Sequence, residues 1–89
     1  MSEPETPGSG GGRLVLVVDD EPQVLRFLRA SLGAHGYRLV EATTGEQALV
    51  EAATRAPDLV LLDLGLPDLD GVEVARRLLA AGAEVAIAD

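Results

Sequence analysis

Three aspartates stand at the ends of short apolar runs, where they could act together chemically. Asp19 and Asp20 follow the run 13–18, and Asp63 closes the run 58–63. An ionised aspartate can attack phosphorus and form an acyl phosphate, and clustered carboxylate oxygens are ligands that suit Mg²⁺. The alternative for an Asp-Asp pair after a strand is a purely structural role, in which the two side chains form a turn or cap the following helix. The residue types therefore indicate Mg²⁺-dependent phosphoryl transfer, provided that the fold brings the two run ends together.

The apolar pattern predicts a strand followed by a helix three times, and then a fourth strand. Continuous apolar runs without alternation are typical of strands buried on both faces, and helical crossovers between such strands predict an α/β, doubly wound parallel sheet. The predicted strands span 13–18, 37–42, 58–63 and 84–88. The predicted helices open at Glu21-Pro22 and end before Gly36, run from Thr43 or Thr44 to about Arg55, and span 72–81.

Two helices show an apolar stripe that should face the sheet. The stripe of the first comprises Val24, Leu25, Leu28 and Leu32, and that of the third comprises Val72, Ala75, Leu78 and Leu79. The second helix has two alternative capping boxes, Thr43 with Glu46 and Thr44 with Gln47.

The carboxyl ends of parallel strands share one edge of the sheet. If the second strand lies outside the first, then the first and third strands are neighbours, and the crevice between their ends is where such sheets bind ligands. We therefore expect Asp19, Asp20 and Asp63 to lie within a few ångströms of one another. Anions that close repel each other, and a bound cation offsets the repulsion.

Composition excludes several classes of function. A formal net charge of -8 argues against direct nucleic-acid binding. The chain has no Cys and one His, which excludes disulfides and multi-histidine metal sites. It has no apolar run of about 20 residues and no signal-peptide pattern, so we expect no membrane association and a cytoplasmic location. Residues 1–12, rich in Gly and Pro, are predicted to form a disordered tail.

Two motifs together resemble the receiver domain of bacterial two-component response regulators. Residues 14–22, LVLVVDDEP, look like the first strand and acidic pair of that family, and residues 57–71, PDLVLLDLGLPDLDG, look like its phosphoacceptor strand and loop. The resemblance extends from Arg13 to about Ala88. It implies a flavodoxin-like receiver fold. The sequence of residues 63–68, DLGLPD, is similar to the corresponding segment of regulators with a winged-helix DNA-binding output domain, particularly the potassium-transport operon regulator.

The resemblance also implies roles for individual residues. Asp63 would be the phosphoacceptor, and Pro67 and Gly71 would shape the loop behind it. The ligands of Mg²⁺ would be Asp19, Asp20, Asp63 and the backbone carbonyl of Gly65, with Asp20 favoured over Asp19 as a direct ligand. The implied partners are a sensor histidine kinase and a second receiver domain, and the implied output is transcription regulation by a phosphoprotein of a phosphorelay.

The chain departs from the family pattern in its second half. The family carries a Ser or Thr after its fourth strand and a Lys after its fifth, whereas this chain has no Ser or Thr after Thr54 and no Lys at all. We therefore expect residues 13–89 to form a partial receiver domain, truncated after the fourth strand.

Three hypotheses about function remain open at this point. The leading hypothesis is a phosphoacceptor signalling module, which is not an enzyme. The alternatives are a Mg²⁺-dependent phosphohydrolase that passes through an aspartyl phosphate, and a receiver remnant that takes no phosphoryl group and serves only in interactions.

Overall fold

The computed structural model describes residues 12–87, so the predicted disordered tail lies outside the described residues apart from Gly12. Strands and helices alternate as the sequence predicts, with bounds that agree to within about two residues. The elements are β1 (Leu14–Val18), α1 (Pro22–Ala34), β2 (Arg38–Ala42), α2 (Gly45–Arg55), β3 (Leu59–Leu62), α3 (Gly71–Ala80) and β4 (Val85–Ile87). Among the helices of this part of the chain, we find none that could cross a membrane.

The four strands form one parallel sheet in the order β2-β1-β3-β4. The second strand lies outside the first, which was the condition for the third strand to become a neighbour of the first. Val18, the last residue of β1, pairs with Ala42 on one side and with Leu62 on the other. The predicted doubly wound α/β architecture is therefore confirmed, and three strands end level with one another at the carboxyl edge.

β1 is the centre of the core, and all five of its residues are buried. Leu16 and Val18 belong to the cluster that packs under α2 and α3. Val15 and Val17 belong to the cluster under α1, on the opposite face. A strand with both faces covered needs apolar residues at every position, which explains why this run shows no alternation.

Local sequence accounts for the helix boundaries. At the end of α1, Gly36 has φ 88, and the N–H of Tyr37 donates to the carbonyl of Leu32 at 3.2 Å, which is a glycine-dependent Schellman cap. α2 begins at the second of the two alternative caps, since the Thr44 hydroxyl accepts from the N–H of Gln47. The helix therefore starts at Gly45, one residue later than it would with Thr43 as its cap.

The predicted stripe of α3 was wrong at two positions. Val74 and Leu78 are buried and face the sheet, whereas Val72 and Leu79 are 52% and 57% exposed. Residues four apart share a helix face, and the face that meets the sheet is centred on the 74/78 pair. In α1 the stripe is likewise narrower than predicted, because Val24 is partly exposed while its neighbour Leu25 is buried.

Candidate functional site

The three predicted carboxylates meet at the carboxyl edge of the sheet. Asp19 and Asp20 follow β1 directly, and Asp63 follows β3, which is paired with β1 up to its last residue. Each aspartate offers one carboxylate oxygen, and these three oxygens all lie within 4.8 Å of one another. Asp19 is buried, Asp63 is half-buried and Asp20 is exposed, so the cluster is open to solvent on one side.

Backbone hydrogen bonds hold two of these carboxylates in place. Asp19 Oδ1 accepts from the N–H of Glu21 at 2.9 Å, in the turn that leads into α1. Asp63 Oδ1 accepts from the N–H of Gly65 at 3.1 Å. Each bond uses one oxygen of the carboxylate, and a carboxylate has a second oxygen with which to bind a cation.

The other predicted loop residues lie close behind Asp63. A Cβ on Gly65 would stand 3.7 Å from Asp63 Oδ1 and makes no clash, whereas a Cβ on Gly71 would stand 2.5 Å from the Cα of Leu64. Gly71 is buried and opens α3, so the two ends of the β3–α3 loop, residues 63–70, come into backbone contact there. Pro67 is exposed at the bend of the loop.

One residue of this loop was missed by the sequence reasoning. The carboxylate of Asp68 accepts from the N–H of Gly45 at 2.7 Å and from the N–H of Glu46 at 3.0 Å, and so caps the start of α2. These two backbone donors lower the pKa of Asp68 from its ordinary value of 3.8. The partners are 22 and 23 positions apart in sequence, so no local motif could have revealed them.

The donor set of the cluster fits a magnesium ion. It consists of hard carboxylate oxygens from three aspartates, without nitrogen or sulfur, and Mg²⁺ prefers such oxygens and retains several waters. Because Asp20 is exposed, solvent can reach the cluster and supply those waters. Chemically, the arrangement can hold a divalent cation next to a carboxylate able to act as a nucleophile.

Comparison with known proteins agrees with this geometry. A family model described as the response regulator receiver domain matches residues 15–88. The transcriptional regulatory protein KdpE of Mycobacterium tuberculosis is 57% identical over 65 residues, which cover 73% of this chain and 29% of KdpE. The chain thus spans less than a third of the length of this curated relative.

Two solved structures of TrrA from Thermotoga maritima are similar to this chain. TrrA in complex with Mg²⁺-BeF has a TM-score of 0.77 and 36% identity, over 84% of this chain and 65% of that chain. TrrA in complex with the histidine kinase ThkA has a TM-score of 0.78 and 35% identity, over 84% and 66% respectively. The fold, the acidic cluster and the family match together identify this chain as a member of the response regulator receiver domain family, as its two motifs predicted.

Proposed function

We propose that this chain is a cytoplasmic phosphoacceptor module of a two-component phosphorelay, in which Asp63 receives a phosphoryl group in a Mg²⁺-dependent reaction. The observation that carries the proposal is the convergence of three carboxylate oxygens within 4.8 Å at the junction of β1 and β3. Membership of the receiver family and the solved complex of TrrA with Mg²⁺-BeF support it.

In this proposal the ion is held by protein oxygens from both sides of the crevice. The ligands would be the carboxylates of Asp19, Asp20 and Asp63 and the backbone carbonyl of Gly65. When bound, Mg²⁺ would offset the charge of the cluster and that of the incoming phosphoryl oxygens. The contact between Gly71 and Leu64 supports a loop-shaping role for Gly71, because it keeps the segment behind Asp63 short and closed. Pro67, at the exposed bend, would restrict the same loop.

Asp63 is the carboxylate of the cluster best suited to be the nucleophile. Asp19 is buried, whereas Asp63 is half-buried and more accessible to a phosphoryl donor. Between Asp63 and the exposed Asp20, the resemblance of residues 57–71 to the family's phosphoacceptor strand and loop supports Asp63. One of its carboxylate oxygens would form a bond to phosphorus as the bond from phosphorus to the donor's nitrogen or oxygen breaks. The electron pair of that broken bond leaves with the donor, and an acyl phosphate remains on Asp63. A histidine nitrogen then takes up a proton from solvent, whereas the carboxylate oxygen of an acyl phosphate leaves as the anion.

The donor in this proposal is a phosphohistidine of a sensor histidine kinase, which the solved complex of TrrA with ThkA supports. In a longer regulator, the phosphorylated module would control transcription through an output domain, as the name of the transcriptional regulatory protein KdpE suggests for that relative. A second receiver domain is a further proposed partner.

The proposal can be tested with acetyl phosphate, a small acyl phosphate that needs no kinase. The purified chain is incubated with acetyl phosphate and Mg²⁺, with and without EDTA, and its intact mass is measured. We expect a single phosphoryl adduct that EDTA abolishes and that Asp63→Asn lacks. Asp58→Asn is the matched control, because Asp58 lies at the opposite end of β3 and accepts from the N–H of Leu14 at 2.8 Å.

The other outcomes separate the alternatives. A folded chain without an adduct would refute the proposal and favour a receiver remnant that serves only in interactions. Steady release of phosphate from an added phosphate ester, blocked by Asp63→Asn, would instead favour a phosphohydrolase.

A further inference from the structure

We propose that Asp68 is a positioning residue for phosphoryl transfer, because its carboxylate ties the β3–α3 loop to the start of α2 and so fixes Asp63 relative to the acidic pair, Asp19 and Asp20. This inference rests on the proposed function, and Asp68 lies outside the cluster of Asp19, Asp20 and Asp63. It follows from how the three loops at the carboxyl edge are connected.

Three connections, made by four hydrogen bonds, close these loops into a ring. The N–H of Asp63 donates to the carbonyl of Val18 at 2.9 Å, which joins the end of β3 to the end of β1. The N–H of Asp19 donates to the carbonyl of Ala42 at 3.0 Å, which joins β1 to the end of β2. The carboxylate of Asp68 completes the ring, since it joins the β3–α3 loop to α2, the element that follows β2.

Only the Asp68 connection depends on the identity of a side chain. The other two bonds are between backbone groups, and any residue but proline would make them. Asp68 accepts from two backbone N–H groups with both of its oxygens, so it fixes the direction of the loop as well as its distance from the helix. The negative carboxylate also lies at the positive end of the α2 dipole.

Close packing next to Asp68 favours a single arrangement of the loop. Gly45 is buried, and a Cβ there would stand 3.0 Å from the Cβ of Leu69 and 3.0 Å from the Cγ2 of Val74. Leu69 follows Asp68 directly, and both Leu69 and Val74 pack in the core under α2 and α3. The loop therefore meets the first turn of α2 through one pair of hydrogen bonds and one tight apolar contact.

The consequence for the reaction concerns the position of Asp63. The loop begins at Asp63, whose Oδ1 accepts from the N–H of Gly65, so movement of the loop shifts the carboxylate that must attack phosphorus. A displacement of about 1 Å at a reacting group can reduce a rate by about 100-fold. Because the contact at Gly71 still restrains the far end of the loop, we expect the loss of Asp68 to slow labelling about tenfold.

The test compares Asp68→Ala with Thr44→Ala in the full chain. Both variants remove a cap from the N-terminus of α2, but Thr44 bonds only the N–H of Gln47, within its own helix. Two readouts are measured at a temperature at which far-UV circular dichroism shows each variant folded. The first is the dependence of the labelling rate on acetyl phosphate and on Mg²⁺, and the second is amide hydrogen exchange at Gly65.

We expect Asp68→Ala to lower the maximal labelling rate about tenfold and to accelerate amide hydrogen exchange at Gly65. For Thr44→Ala, both the labelling rate and the exchange rate should stay within about twofold of those of the unmodified chain. Asp68→Asn retains one oxygen acceptor and should recover part of the rate, and it replaces Asp68→Ala in the comparison if that variant unfolds. Equal losses in the Asp68 and Thr44 variants, or no loss in either, would overturn the proposal.

Failure of the proposed function would look different. In that case the unmodified chain would take no phosphoryl group, and exchange at Gly65 would alone decide the matter. Faster exchange in the Asp68 variant than in the Thr44 variant would support the positioning role, and equal exchange would overturn it.

Discussion

Neutralising Asp63 should stabilise the folded chain in the absence of divalent cations. Its carboxylate lies within 4.8 Å of carboxylate oxygens on both Asp19 and Asp20. At that distance a pair of like charges costs about 1 kcal/mol with the dielectric constant of water, and about 3–4 kcal/mol with the value of about 20 that suits pairs near a protein surface. Because Asp20 is exposed and Asp63 is only half-buried, solvent screens both pairs, and we use the lower figure for each. We therefore expect Asp63→Asn to raise the free energy of unfolding by about 2 kcal/mol.

Urea unfolding followed by far-UV circular dichroism measures this effect, since the chain contains no tryptophan. For a domain of this size, about 2 kcal/mol corresponds to a rise of roughly 8–16 °C in Tm. The difference should shrink in about 1 M salt, where the screening length is about 3 Å. Added Mg²⁺ should stabilise the unmodified chain more than the variant, because ligand that binds only the folded state raises its stability.

Asp58→Asn is the control for a carboxylate outside the cluster. It should leave the free energy of unfolding unchanged or lower it, because the charged oxygen of Asp58 accepts from the N–H of Leu14. The reasoning would be refuted if Asp63→Asn were no more stable than the unmodified chain in EDTA, or if salt left the difference unchanged.

Three further predictions concern packing and pH. Gly71→Ala should destabilise the chain by about 2 kcal/mol in urea unfolding, because the new Cβ would stand 2.5 Å from the Cα of Leu64. Gly33→Ala has open space around its Cβ and should stabilise α1 by up to about 1 kcal/mol. Equal effects of the two substitutions would contradict the close contact between Gly71 and Leu64. Leu78→Ala should lower the free energy of unfolding by about 2–5 kcal/mol, whereas Leu79→Ala, at an exposed position, should change it by no more than about 0.5 kcal/mol. If Leu79→Ala lowered the Tm more than Leu78→Ala, the assignment of the buried face of α3 would be wrong. Two backbone donors lower the pKa of Asp68 below 3.8, so the stabilisation from its carboxylate is present above that pH and is lost as the pH falls through the lower folded value. The difference in urea midpoint between Asp68→Asn and the unmodified chain should therefore shrink between pH 7 and about pH 3. A constant difference would contradict this prediction.

The acidic cluster could be predicted from sequence because few alternatives remain once the strands are assigned. Apolar runs without alternation require a sheet covered on both faces, and covered parallel sheets place successive strand ends at one edge. Asp19, Asp20 and Asp63 directly follow such runs, so the strand order alone decides whether they meet. That order was a condition in the sequence argument, and the structure supplies it.

Other features could not be predicted, because they depend on contacts between residues distant in sequence. The face of α3 was misassigned since Val72 and Leu79 are as apolar as the buried Val74 and Leu78, and the hydrophobic pattern cannot rank equivalent side chains. The link from Asp68 to α2 joins residues 22 and 23 positions apart, and an exposed aspartate in a turn-rich loop carries no signal of such a partner.

The most direct test of the central claim identifies the residue that carries the phosphoryl group. The chain is labelled with acetyl phosphate and Mg²⁺ and treated with borohydride, which reduces an acyl phosphate to an alcohol and releases phosphate, so that the modified aspartate becomes homoserine. Peptide mass spectrometry then locates the change. The account predicts homoserine at position 63 alone, and only in samples labelled with Mg²⁺ present. Homoserine at Asp19, Asp20 or an aspartate outside the cluster, or labelling at position 63 that persists in EDTA, would contradict it.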